Sequence, residues 1–158
     1  MTYTLETVCK ELRLNSLPRL VDDPTQEEWL LKLLIKEVEA KEERKIQRLI
    51  KQAKFIGHKT LDSFEWHQDI RLQDSQTKDI LTSLNFIKEN QNIVCIGAPG
   101  TGKTHLASAL GYKACQQGIE TRFWRVSDLV IELERAWKNN QLERFKKRFN
   151  RVQLIILD

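Results

Sequence analysis

The sequence predicts an α/β fold: a parallel sheet covered by helices, preceded by a helical region. Two observations carry this. From residue 74 onward apolar strand patterns alternate with helical ones, the order that builds parallel, helix-covered sheets. Before that, residues 25–55 hold no Gly or Pro and place apolar residues at three- and four-residue steps.

The N-terminal helix is expected to open at Pro24-Thr25, with Thr25 as cap and Glu28 reaching back in a capping box. Its apolar stripe runs through Leu31, Leu34, Ile35, Val38, Ile46, Leu49, Ile50 and Ala53. Glu42 interrupts the stripe, and a break in the helix is expected there if it has one. The stretch KFIGHKTLDSFEWHQDIRLQ, with Gly57 and scattered polar residues, reads as a linker, so residues 1–60 form a helical region and 61–158 a second domain. In that domain Asp74 to Lys88 reads as a helix, Ile93 to Ile96 as a strand, and Thr104 to Gln116 as a helix ended by Gly118. Thr121 to Val126 follows as a strand, Ser127 to Trp137 as a helix capped by Ser127, and Leu142 to Phe149 as a short helix. Leu154 to Leu157 is a continuous apolar strand of the kind buried on both faces, running into Asp158.

The totals bound the function. Forty-one per cent apolar and 30% charged residues suit a globular chain, and 26 Lys plus Arg against 22 Asp plus Glu give a net charge of +4. Cys9, Cys95 and Cys115 form no CxxC pair, which argues against a zinc site or disulfide framework; Cys95 is expected as a small core residue of its strand. MTYTLETVCKEL has no secretory pattern, and no apolar run approaches the ~20 residues that span a bilayer. A cytoplasmic protein without a membrane segment is expected.

The strongest local signal is GAPGTGKT, Gly97 to Thr104, which fits G-x-x-x-x-G-K-[ST] between a strand and a helix. Gly97, Gly100 and Gly102, with Ala98, Pro99 and Thr101 between them, let backbone N–H groups converge on phosphate oxygens at a helix N-terminus. Lys103 would face the β- and γ-phosphates, and the Thr104 hydroxyl would hold Mg²⁺. The cofactors expected are therefore ATP and Mg²⁺. His105 belongs with the nucleotide-contacting group by position, although its side chain reads as packing. An apolar strand ending in Asp158 matches the second nucleotide motif, whose carboxylate serves Mg²⁺; Lys103 and Asp158 are the candidate catalytic residues, Thr104 and Asp158 the metal ligands.

Basic residues cluster twice. Between Glu43 and Asp62 there is no acid, while Arg44, Arg48 and Lys51 share a helix face opposite Ile46, Leu49, Ile50 and Ala53. Arg144, Lys146, Lys147, Arg148 and Arg151 precede the last strand. Such clusters suit sequence-independent contact with the DNA backbone, although each is also what a solvated helix face looks like. Trp124 and Trp137 read as core or interface aromatics, with nothing to say which.

The run NIVCIGAPGTGKTHLASALGYKACQQGIETRFWRVSDLV, with QAKFIGHKTLDSFEW before it and LERFKKRFNRVQLIILD after it, resembles the IstB-like ATP-binding proteins of insertion sequences, AAA+ relatives of the DnaC helicase loader. The resemblance implies a P-loop AAA+ domain that oligomerises on DNA with ATP and assists a transposase. It places Phe64 and Trp66 near the adenine. Family members continue past the position of Asp158 with a second acidic residue, a sensor residue, an arginine finger and two more strands, one of them lying between the P-loop strand and the strand that ends at Asp158. A C-terminally incomplete domain, from a truncated or interrupted copy in which hydrolysis is doubtful, is the expectation. The alternatives are a DnaC-like loader of a replicative helicase and a non-hydrolysing, ATP-gated DNA-binding module; a small-molecule P-loop kinase is remote, because nothing resembles an acceptor site.

Overall fold

The computed structural model describes residues 4–67, 70–72 and 77–158. They fall into two compact units, Met1–Gln47 and Arg48–Asp158.

The first unit holds a helix that no sequence pattern had announced. In α1 (Leu5–Leu12) Thr4 and Thr7 cap each other reciprocally: Thr7 N–H donates to Thr4 Oγ1 at 3.3 Å and Thr4 N–H to Thr7 Oγ1 at 3.0 Å. Leu5, Val8 and Cys9 are buried in one cluster with Leu34 and Val38. Those two belong to α2 (Pro24–Ala53), a single helix of 30 residues with no break at Glu42. Glu42 and its charged neighbours are exposed, and charges directed to water interrupt an apolar stripe without interrupting a helix.

The expected capping box at Thr25 does not form. Pro24 occupies the first helical position, where its missing N–H costs nothing, and the Asp23 carboxylate accepts from Thr25 N–H at 2.9 Å. Glu28 instead pairs with Lys32 at 2.7 Å, and that contact holds its carboxyl below the usual range.

The second unit is built around α5 (Lys103–Gln116), which buries Leu106, Ser108, Ala109, Leu110, Gly111, Ala114 and Cys115. Its neighbours are the two strands β1 (Thr121–Trp124) and β2 (Leu154–Leu157), paired in parallel with Thr121 opposite Leu154 and Trp124 opposite Leu157. The ladder runs past the strand ends: Asp158 N–H donates to Trp124 C=O, and Val126 N–H donates to Asp158 C=O, both at 3.0 Å. At Gly111 the approach is closest, because a Cβ there would lie 2.6 Å from Ile156 Cδ1 and 2.7 Å from Phe55 Cε1. Only glycine lets α5 lie this near β2 and Phe55.

Several expected boundaries move. The strand from Thr121 stops at Trp124, and Val126 opens α6 (Val126–Lys138) with Arg125 at the cap, so Ser127 caps nothing. The helix expected over Asp74 to Lys88 is α3 (Thr77–Ser83) and α4 (Asn85–Lys88), with residues 74–76 outside the described set. Leu84 separates them at φ 63° and is 1% exposed. Burying its side chain completely outweighs the ~1–2 kcal/mol that a left-handed residue costs. The short helix α7 (Leu142–Phe149) forms where expected. β2 is not buried on both faces: Ile156 is buried but Leu157 is 57% exposed.

The largest departure is the strand expected at Ile93 to Ile96. This segment has no ladder; Val94 is 78% and Ile96 92% exposed, and Cys95 is exposed instead of serving the core. A strand exists only through pairing, and among the described residues none lies beside this one.

Candidate functional site

The loop from Gly97 to Gly102 leads directly into α5. Gly100 and Gly102 stand at φ 82° and 87°, in the left-handed region that glycine adopts without strain. The alternation turns the chain back over the helix start. The first amides of α5 have no partner inside the helix, so they and the helix dipole face the loop. Thr101 Oγ1 donates to Ala98 C=O at 2.9 Å, which fixes the width of the loop. The Lys103 ammonium lies inside the curve and donates to the carbonyls of Gly97 at 2.9 Å and Ala98 at 2.8 Å. A cation is thus held where phosphate oxygens would approach.

Thr104 and Asp158 stand 54 positions apart in the chain, yet the Thr104 hydroxyl donates to Asp158 Oδ1 at 2.6 Å. The parallel ladder of β2 carries Asp158 to the end of the sheet, and the first turn of α5 presents Thr104 to the same point. Two hard oxygens converge there. Mg²⁺ asks for one or two protein oxygens and takes the rest of its shell from water and phosphate, so this donor set fits it.

Phe64 lies under the loop. A Cβ on Gly102 would come within 3.2 Å of its ring, and the ring is buried among Leu81, Leu84, Phe86 and Leu106. Trp66 meets Phe64 edge-on at 5.0 Å, with the Lys78 ammonium 4.9 Å from the Trp66 ring centre. His105 touches Phe64 at 5.3 Å, and its Nε2 is 3.3 Å from Ser63 Oγ. A cavity of about 960 Å³ opens beside the loop between Phe64, Ile70, Leu72, Cys95 and Lys103.

Thr104 and Asp158 therefore stand together with Lys103 next to them at the start of α5, while Phe64 lies against Gly102 and Trp66 against Phe64. His105 turns to Ser63 and Phe64. Sequence reasoning missed Ser63 and Gly111. The signal for the first was the Thr60-x-x-Ser63 spacing, which closes as a reciprocal cap, Thr60 N–H to Ser63 Oγ at 3.2 Å and Ser63 N–H to Thr60 Oγ1 at 3.3 Å. Gly111 had none, because a helical glycine shows its purpose only beside the strand it touches. Trp124 is a core residue stacked on Phe149 at 5.5 Å, and Trp137 is 69% exposed. No helix among the described residues is long and apolar enough to cross a membrane.

Comparison with known proteins bears on this arrangement. The family model of IstB-like ATP binding proteins matches residues 8–158, loop, helix and terminal strand included. The chain belongs to that family. The IstB-like chain is 37% identical over 131 residues to a protein of Geobacillus stearothermophilus named for ATP binding in insertion sequence IS5376, covering 83% of this chain and 52% of the relative. It is 34% identical to the corresponding IS232 protein of Bacillus thuringiensis subsp. berliner, with the same two shares covered. With the IS21 protein of Pseudomonas aeruginosa it shares 32% identity, covering 83% of this chain and 49% of the relative. The chain spans about half the length of the curated relatives it matches. Its fold is that of a P-loop ATPase, here with the short parallel sheet β1–β2.

Proposed function

We propose that this chain binds ATP with Mg²⁺ at Gly97–Thr104 and Asp158, and that it serves DNA transposition as an ATP-dependent, DNA-bound oligomer assisting a transposase. The observation that carries the nucleotide reading is the 2.6 Å hydrogen bond between Thr104 and Asp158. A hydroxyl at a helix start and a carboxylate at a strand end, brought together from distant sequence, have little structural purpose in an exposed position. They do have a chemical one. Mg²⁺ would neutralise the charge of β- and γ-phosphates while these two oxygens hold it in place. Lys103 would exchange its carbonyl partners for phosphate oxygens, a stronger, charge-assisted contact, and the loop amides would bind the remaining oxygens. Phe64 and Trp66 would border the base.

The transposition context rests on the insertion-sequence relatives, and the DNA contact on the excess of basic side chains. Titration of a fluorescent ATP analogue, with and without Mg²⁺, tests the nucleotide site. Saturable binding strengthened by Mg²⁺ is expected, and Lys103→Ala should weaken it about tenfold to hundredfold; binding indifferent to that substitution would end this reading. Capture with tagged chain and ATP then separates partners, since a transposase is expected and a replicative helicase would favour the loader alternative.

A further inference from the structure

Helices α6 and α7 enclose a cleft of about 600 Å³ that neither the nucleotide site nor the sheet uses. Among the described residues its charged lining is Arg135, Arg144, Lys147, Arg148 and Arg151 with a single acid, Glu132. Five cations against one carboxylate leave an excess of four positive charges. That excess is as large as the one the whole chain carries, 26 basic against 22 acidic side chains.

The groove is arranged as well as charged. Phe145 and Phe149 of α7 stack 5.9 Å apart, with Phe149 also stacked on Trp124, and Arg144, Lys147 and Arg148 of the same helix line the cleft. Glu132 has a positioning place: its carboxylate accepts from Trp124 Nε1 at 3.3 Å and pairs with Arg148 at 3.6 Å and Lys54 at 3.5 Å. From Arg144 to Arg148 α7 rises roughly 6 Å, with Arg151 just past its end, against one phosphate per ~3.4 Å of strand axis, so the row reaches at least about two consecutive phosphates. A single small anion would leave most of these cations unused.

We propose that the α6–α7 cleft is the seat of a nucleic-acid phosphodiester backbone, with Glu132 holding Arg148 at its rim. The inference rests on the DNA-bound reading above and adds where the strand lies. The row of cations addresses phosphates, so the contact is electrostatic and independent of sequence.

Fluorescence anisotropy with labelled oligonucleotides over a salt series, in the presence of ATP, tests it on the full chain. Arg144→Ala/Lys147→Ala is expected to lower the slope of log affinity against log salt by about two and to weaken binding at low salt at least about tenfold. Both side chains are exposed, and circular dichroism should show unchanged helicity. Glu132→Gln keeps an oxygen acceptor for Trp124 but removes the opposing charge, and binding should tighten severalfold. Parallel arms with single-stranded and duplex DNA show which form the groove prefers, and either supports it. Wild-type binding retained with the same slope in the double variant, or displaced equally by polyglutamate, overturns the cleft alone. A wild-type chain that binds ATP but no DNA overturns it together with the DNA-bound reading.

Discussion

Two apolar tetrapeptides stand beside the candidate site, Ile93–Ile96 before the loop and Leu154–Leu157 before Asp158. By composition both are strands, and the first is the richer in β-branched residues. Only the second is one. Leu154–Leu157 finds β1 on one side and α5 above it, whereas Ile93–Ile96 has no strand beside it among the described residues and exposes its side chains. Strand propensity is permission, and a partner with free N–H and C=O groups is what turns it into structure.

The contrast can be broken most forcefully at Ile156. Truncating this buried side chain against Gly111 and Phe55 (Ile156→Ala) should cost about 2–4 kcal/mol in urea denaturation. Lys103→Ala, at the loop between the two segments, should lower nucleotide affinity about tenfold to hundredfold, read by the fluorescent-analogue titration. Gly111→Ala pushes a methyl into Ile156 and Phe55 and should lose about 1–3 kcal/mol by the same denaturation.

Thiol labelling sharpens the comparison without a stability change. Burial pushes the Cys115 thiol up, partly offset by hydrogen bonding to Thr121; protein atoms around the surface thiol of Cys95 partly desolvate it and push it up as well, partly offset by the Lys103 charge, so solvent access is what separates the two. A maleimide at neutral pH should modify Cys95 in the native chain and reach Cys115 only on unfolding. The smallest effect is expected at the unpaired segment, where Val94→Ala should change stability by less than about 0.5 kcal/mol. A loss comparable to that of Ile156→Ala would mean that 93–96 is a core strand after all.

The same distinction explains what the sequence disclosed. The loop, α5, α7, β2 and Asp158 were legible because their signals are local: glycines that permit positive φ, amphipathic spacing, a short apolar run. The pairing of Thr104 with Asp158 was legible only through the motif, since no local pattern joins residues 54 positions apart. Leu84 broke a plausible helix for the sake of burial, which no helical periodicity reveals. Asp23 displaced Thr25 as cap because Pro24 fixes where the helix begins. The α6–α7 cleft combined a visible basic run with Arg135 and Glu132, which look like ordinary surface charges until the two helices are placed side by side.

Phe64 has one more consequence. Its ring is wedged beneath Gly102 and reaches the core through Leu81 and Leu106, so the floor of the phosphate loop is an aromatic plate and not solvent. Whatever shifts that plate tilts the turn above it. The peptide leading out of the helical region thereby acquires mechanical leverage over the start of α5, and a proline or a bulky residue introduced near Ser63 would detune the loop without touching any of its own residues.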